Sequence, residues 1–160
     1  MQQAQKQGYD LQRLITSLKG QTDAEIEKYG REYYAERFLD NARNGQRETH
    51  DGQVLYFWES RFNHSCFMSP DKVRIDRARV ERLMWVLPII EGKIADTECF
   101  TVANPYQGRP DNRLYIMFPE KFVVWLEPRD NGGWTYSTHY TAEMKEIRGY
   151  QRRGAKIWEF

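Results

Sequence analysis

Apolar residues recur at helical spacing early in the chain. Leu11, Leu14, Ile15 and Leu18 mark one face of a helix, and Lys19-Gly20 supplies a stop. Thr22-Asp23-Ala24-Glu25 then reads as a capping box, with Thr22 accepting from the backbone and Glu25 reaching back. Ile26, Tyr29, Tyr33, Tyr34 and Phe38 carry the apolar stripe onward until Asn41-Ala42-Arg43-Asn44-Gly45 ends it. Residues 10–44 are therefore predicted to form a helix pair.

From Gly52 the pattern changes to short β-rich runs. Val54–Trp58 and Arg113–Phe118 are strands on this reading. Phe122–Leu126 pairs with Trp134–Thr138 across Asp130-Asn131-Gly132-Gly133, a turn whose residues tolerate positive φ. Between them Arg77–Ile90 has a helical face of Val80, Leu83, Met84 and Leu87. Glu143–Tyr150 reads as a short helix, and Lys156–Phe160 as a last strand or a packed tail. The predicted class is α+β: an N-terminal helix pair followed by a small, mostly antiparallel β-sheet packed with helices. Residues 1–47 form the helical extension and 48–160 the α+β domain, together one compact unit.

Composition narrows what such a domain can do. At 160 residues it can bury an ordinary core. A net charge of +1 argues against a basic field over the whole surface, so any nucleic-acid contact must come from local patches. Aromatic residues make up 14% of the chain; they can fill a core or supply surfaces on which bases stack. Two cysteines, Cys66 and Cys99, with no CxxC spacing, point away from a zinc site or a disulfide framework and toward a reducing compartment. No apolar run reaches bilayer length, and Met1–Lys6 lacks a signal peptide's apolar stretch, so a cytoplasmic protein without a membrane partner is expected.

The chemistry concentrates in two polar clusters. Arg61-Phe62-Asn63-His64-Ser65 follows the first apolar strand. Its imidazole can act as acid or base near neutral pH, and its guanidinium can hold a phosphate by two parallel bonds. A histidine that caps a strand end or bonds a carbonyl is the competing reading. Over Arg61–Arg82 stand six Lys/Arg (Arg61, Lys72, Arg74, Arg77, Arg79, Arg82) against three Asp/Glu, a patch that attracts a phosphate backbone or forms a solvated helix face. The second cluster is Tyr136-Ser137-Thr138-His139-Tyr140-Thr141. Strand alternation puts Thr138 and Tyr140 on one face and Ser137, His139 and Thr141 on the other. A hydroxyl beside a phenol can orient a phosphate oxygen; a plain β-prone run would look the same. The segment from Arg148 to Lys156 is basic with one aromatic, Tyr150, which suits RNA contact or a helix C-terminus.

Taken in order, these segments resemble the phage-associated branch of the barnase–EndoU–colicin–RelE nuclease superfamily. The likeness rests on Arg61-Phe62-Asn63-His64, on Arg79-Val80-Glu81-Arg82-Leu83-Met84-Trp85-Val86-Leu87-Pro88, on Thr138-His139-Tyr140 and on a following basic helix with Lys145 and Arg148. It covers residues 52–150. His139 departs from the pattern, in which a small residue is more usual between Thr and Tyr. The resemblance implies a barnase/EndoU/RelE-like fold and an endoribonuclease that needs no metal or other cofactor. In that chemistry the 2′-hydroxyl attacks the adjacent phosphate and leaves a 2′,3′-cyclic phosphate. It also implies a toxin or phage–host conflict role in a bacterial cell, with RNA, tRNA among the candidates, as substrate and an immunity or host protein as partner. His64, Arg61, Arg82, Thr138 and Tyr140 become the expected catalytic set. Lys72, Arg74, Arg79, Lys145 and Arg148 become the expected RNA contacts. The alternative is a non-catalytic RNA- or protein-binding accessory protein on the same fold.

Overall fold

A computed structural model describes residues 17–40, 42–68 and 73–160. Residues 10–16 of the first expected helix lie outside them, as does Lys72; Leu18, its last apolar position, is buried in non-helical chain before the turn at Lys19–Gly20. The second is α1, Asp23–Tyr34, and its capping box forms in both directions between Thr22 and Glu25. A π-helical turn, Ala35–Leu39, extends it. Ile26, Gly30 and Tyr34 face inward, and a Cβ on Gly30 would come within 3.0 Å of Phe62 and Val80. The extension is therefore part of the main core.

Among the described residues seven strands follow: β1 Gln46–Glu48, β2 Val54–Tyr56, β3 Thr97–Val102, β4 Asn112–Met117, β5 Phe122–Pro128, β6 Trp134–Thr141 and β7 Ala155–Glu159. They form one sheet in the order β1-β2-β6-β5-β4-β3-β7. Every pairing is antiparallel except β2 with β6. The α+β class and the β5–β6 hairpin are as the sequence predicts. Gly133, at φ +76°, lets the hairpin turn approach β2, because a Cβ there would stand 2.6 Å from the Val54 carbonyl oxygen.

Two expected segments differ. Arg61–His64 belongs to a helix, α2, Ser60–Cys66, and the strand before it ends at Tyr56. Phe62 and Cys66, one helical turn apart, are both buried, so apolar burial at i and i+4 outweighs the β-preference of the aromatic residue. The predicted helix Arg77–Ile90 is two helices, α3 Arg77–Glu81 and α4 Leu83–Ile90, which break at Arg82 (φ −102°, ψ 7°). The Glu143–Tyr150 prediction lengthens to α5, Met144–Arg153.

The sheet has a core on each face. On one side Tyr34, Phe38, Phe57 and Phe62, with Trp85 and Ile89, cover Tyr115, Val124, Leu126 and Tyr136. On the other, α5 lays Ile147 against Phe100, Leu114, Ile116 and Val123, with Trp125, Tyr140 and Tyr150 beside them. Cys66 and Cys99 are buried free thiols, both pushed up to about 12 by loss of water. No helix among the described residues is long and apolar enough to cross a membrane.

Candidate active site

The two polar clusters meet at the side of β6. β2 pairs with β6 only at Trp134 and Thr135, so among the described residues no strand flanks β6 on that side from Tyr136 onward. α2 and α3 pack there instead.

Arg79 is the hub. Asp76 caps α3 by accepting from the Arg79 backbone N–H and also pairs with its side chain at 3.4 Å. The same guanidinium donates to the Ser65 carbonyl at 3.3 Å, next to His64 on α2, and lies 5.4 Å from the centroid of the Tyr140 ring. Arg82 donates to the Ala78 carbonyl and packs over Trp85. Arg79, Arg82 and Tyr140, with Asp76, Ala78, Phe122 and Thr141, line a hollow of about 190 Å³.

The strand's faces sort as alternation predicts at Thr138 and Tyr140, which register with Trp125 and Val123 on the α5 side. A bulge between the Trp125 and Leu126 pairs then puts Tyr136 and His139, three apart, on the other face together. His139 is fully buried. Its Nε2 lies 2.8 Å from the Arg79 carbonyl and its Nδ1 meets the Tyr136 hydroxyl. A carbonyl only accepts, so Nε2 carries the proton and Nδ1 accepts from the phenol. Burial first, then the charges of Arg79 and Arg82, hold this imidazole down at about 4. It is a neutral tie between sheet and α3.

Tyr140 is equally occupied. Trp125 Nε1 donates to its oxygen at 3.0 Å, and its hydroxyl meets that of Tyr150 at 2.9 Å, which in turn donates to Glu146. Because Tyr150 gives its proton to a carboxylate, the phenol of Tyr140 donates to Tyr150. Its ring face, not its hydroxyl, serves the hollow. Burial raises the Tyr150 phenol well above its usual value, and the Glu146 carboxylate that accepts its proton adds to this.

Arg61 does not join the hollow. It pairs with Glu127 at 2.8 Å, and Glu127 also accepts from Ser137 at 3.2 Å. His64, one turn after Arg61, is exposed on α2. Thr141, rather than Thr138, lines the hollow. Lys145 and Arg148 are exposed on α5, and Arg74 is exposed ahead of α3. Arg77 is spent on the Leu18 and Gln21 carbonyls, where it holds the segment before α1.

Sequence reading missed Asp76, Thr141 and Glu127. Asp76 carried a signal, an aspartate just ahead of a helical face; Glu127 carried none, since it meets Arg61 across 66 positions. Also unforeseen is a half-buried polar cluster. Asp51 holds Arg113 at 2.9 and 3.1 Å and accepts from Thr49, while His50 Nδ1 lies 2.6 Å from the Tyr115 hydroxyl. Among the described residues no group of three or more His, Cys, Asp or Glu is arranged to hold a metal ion.

Comparison of the chain with protein-family models, with curated proteins and with solved structures returns no match.

Proposed function

We propose that the protein is an endoribonuclease of the metal-independent, cyclizing kind, active in toxin or phage–host conflict inside a bacterial cell. The observation that carries this reading is the Arg79 hub: one guanidinium touches the end of α2 beside His64 and the ring of Tyr140, with Arg82 in the same hollow. The resemblance of the sequence to barnase–EndoU–colicin–RelE nucleases names the same segments in the same order.

On this reading Arg82 and Arg79 hold the scissile phosphate and stabilize the charge that builds on its oxygens. The 2′-oxygen loses its proton and bonds to phosphorus, and the bond from phosphorus to the 5′-oxygen breaks. His64 carries one of the two proton transfers and solvent the other. Thr141 and the Tyr140 ring shape the hollow, Thr138 supports the strand, and Lys145 and Arg148 add positive charge along the RNA.

The second reading, a binding protein that grips RNA or a host protein without cutting, is favoured by one observation. Arg61 and the Tyr140 hydroxyl are committed to Glu127 and Tyr150.

Incubation with total RNA or tRNA, with and without a chelator, separates the two. Chelator-insensitive cleavage ending in a 2′,3′-cyclic phosphate is expected. His64→Ala should lower the rate by about 10²–10⁴-fold with an unchanged melting temperature. Wild-type cleavage by that variant removes His64 from the mechanism, and RNA binding without any cleavage favours the second reading.

A further inference from the structure

A run of planar groups lies outside both cores and outside the hollow. Tyr56 and Trp58 stand two residues apart, with rings tilted only 10° from parallel and centroids 5.9 Å apart. Arg129, just past β5, lays its guanidinium 3.8 Å from the centroid of Tyr56. Trp58 is 47% exposed, and among the described residues Tyr106 is the other large aromatic side chain left in water. A hollow of about 600 Å³ opens alongside, lined by Gln53, Tyr56, Arg129, Asn131 and the turn glycines 132 and 133.

The platform is fixed in place. The Trp58 carbonyl accepts from the buried Tyr34 hydroxyl at 2.6 Å and from the Arg61 N–H at 3.0 Å, so this residue is the anchored start of the turn into α2. Holding a large indole half in water on a rigid base gains little for folding. It does make a ready surface for a flat ligand, because the entropy of ordering it is already spent. A guanidinium stacked on a ring keeps its in-plane N–H groups free to meet phosphate. Trp58 also lies three residues before Arg61 and six before His64.

We propose that Trp58, Tyr56 and Arg129 form a stacking platform for unpaired nucleobases, so that the RNA this protein takes is single-stranded beside the cleaved bond. Placing the cleaved bond rests on the ribonuclease reading; the platform itself does not. Every base has a π-face, so such a site is tolerant of sequence. A base inside a duplex has both faces covered and cannot use it.

The test measures binding apart from chemistry. The full chain is titrated into a labelled single-stranded oligonucleotide carrying 2′-O-methyl groups, which lacks the attacking hydroxyl, and into the same strand in a duplex. Anisotropy is the readout. The single strand should bind at least tenfold tighter than the duplex. Trp58→Ala should weaken it by roughly 5- to 150-fold, the range a lost base stack gives, and Trp58→Phe should recover most of the loss. Equal affinity of Trp58→Ala and wild type overturns the platform, as does equal binding of duplex, or no binding at all by the wild type. Trp58-dependent binding with no cleavage of ordinary RNA leaves the platform standing and ends the ribonuclease reading. Cleavage that is indifferent to Trp58→Ala does the reverse.

Discussion

His139 sits in a part of the sequence that reads as the most reactive, yet no atom of it reaches water and both ring nitrogens are committed. That arrangement fixes a pH dependence. In the unfolded chain the imidazole takes a proton near pH 6.5, whereas in the folded one it resists until about 4. Between those values the unfolded state binds more protons. Stability from this group is complete above pH 6.5, falls as the pH drops through the window and levels off below about 4, a loss on the order of 3 kcal/mol. His50, lowered first by burial, adds a fall in the same direction. His139→Leu leaves the Tyr136 hydroxyl and the Arg79 carbonyl without their partner. We expect a cost of about 2 kcal/mol at pH 7 and a clearly shallower fall between pH 6.5 and 4, read from urea midpoints across pH. An unchanged profile would refute the assignment. Period-two alternation already set His139 opposite Thr138 and Tyr140. What the alternation could not carry is the bulge beside it, since a single extra residue leaves no mark in a run of β-prone side chains.

At the scale of elements, the short β1–β2 hairpin lies at the sheet edge, and an ion pair with one buried and one solvated partner pins its turn. Arg113 of β4 is 4% exposed and held by both oxygens of Asp51. Bonds from Arg113 and Thr49 outweigh burial and keep the Asp51 carboxyl low, at about 2. Its contribution is present above the ordinary carboxylate range and is lost as the pH falls toward 2. Asp51→Asn strands the Arg113 charge. Since Asp51 is partly solvated, we expect a loss of about 2 kcal/mol, less than the 3–5 typical of a fully buried pair. A melting temperature within a degree of wild type would show that water already serves Arg113. Elements of this kind divide by how local their cause is. The Thr22–Glu25 capping box, the β5–β6 turn and β4 were readable because neighbours in sequence determine them. β1, with the sequence Gln46-Arg47-Glu48, is a strand only through its register with β2, and β3 leaves no alternation to read because it is buried on both faces. No element is predicted over α2, because its helical signal is only two buried positions, Phe62 and Cys66. The candidate site was half legible for the same reason. Arg79, Arg82 and Tyr140 came from local motifs, while the Arg61–Glu127 pair depends on how α2 docks against the hairpin.

The whole molecule carries 24 Lys/Arg and 23 Asp/Glu, so it cannot attract RNA by net charge. Its cations are instead arranged in places: Arg79 and Arg82 in the hollow, Arg129 at the turn, Lys145 and Arg148 on α5. Each of these that meets a phosphate releases condensed counterions, which for a single strand lowers the log–log dependence of affinity on salt by about 0.7 per contact. Three to five contacts give a slope of roughly −2 to −3.5, well short of the steep dependence of a protein with a basic surface. The measurement is the affinity of the full chain for a 2′-O-methyl single strand at several salt concentrations. Arg82→Ala, which removes one bond to the Ala78 carbonyl of α3 and the packing over Trp85, should make the slope shallower by about 0.7 with the fold intact by circular dichroism. A slope near zero would mean that stacking on Trp58 and Tyr56 works alone and that the hollow holds no phosphate. A slope unaltered by Arg82→Ala would take that residue off the backbone and shift the phosphate to Arg79, which already donates through Nη1 to Ser65 and pairs through Nε with Asp76.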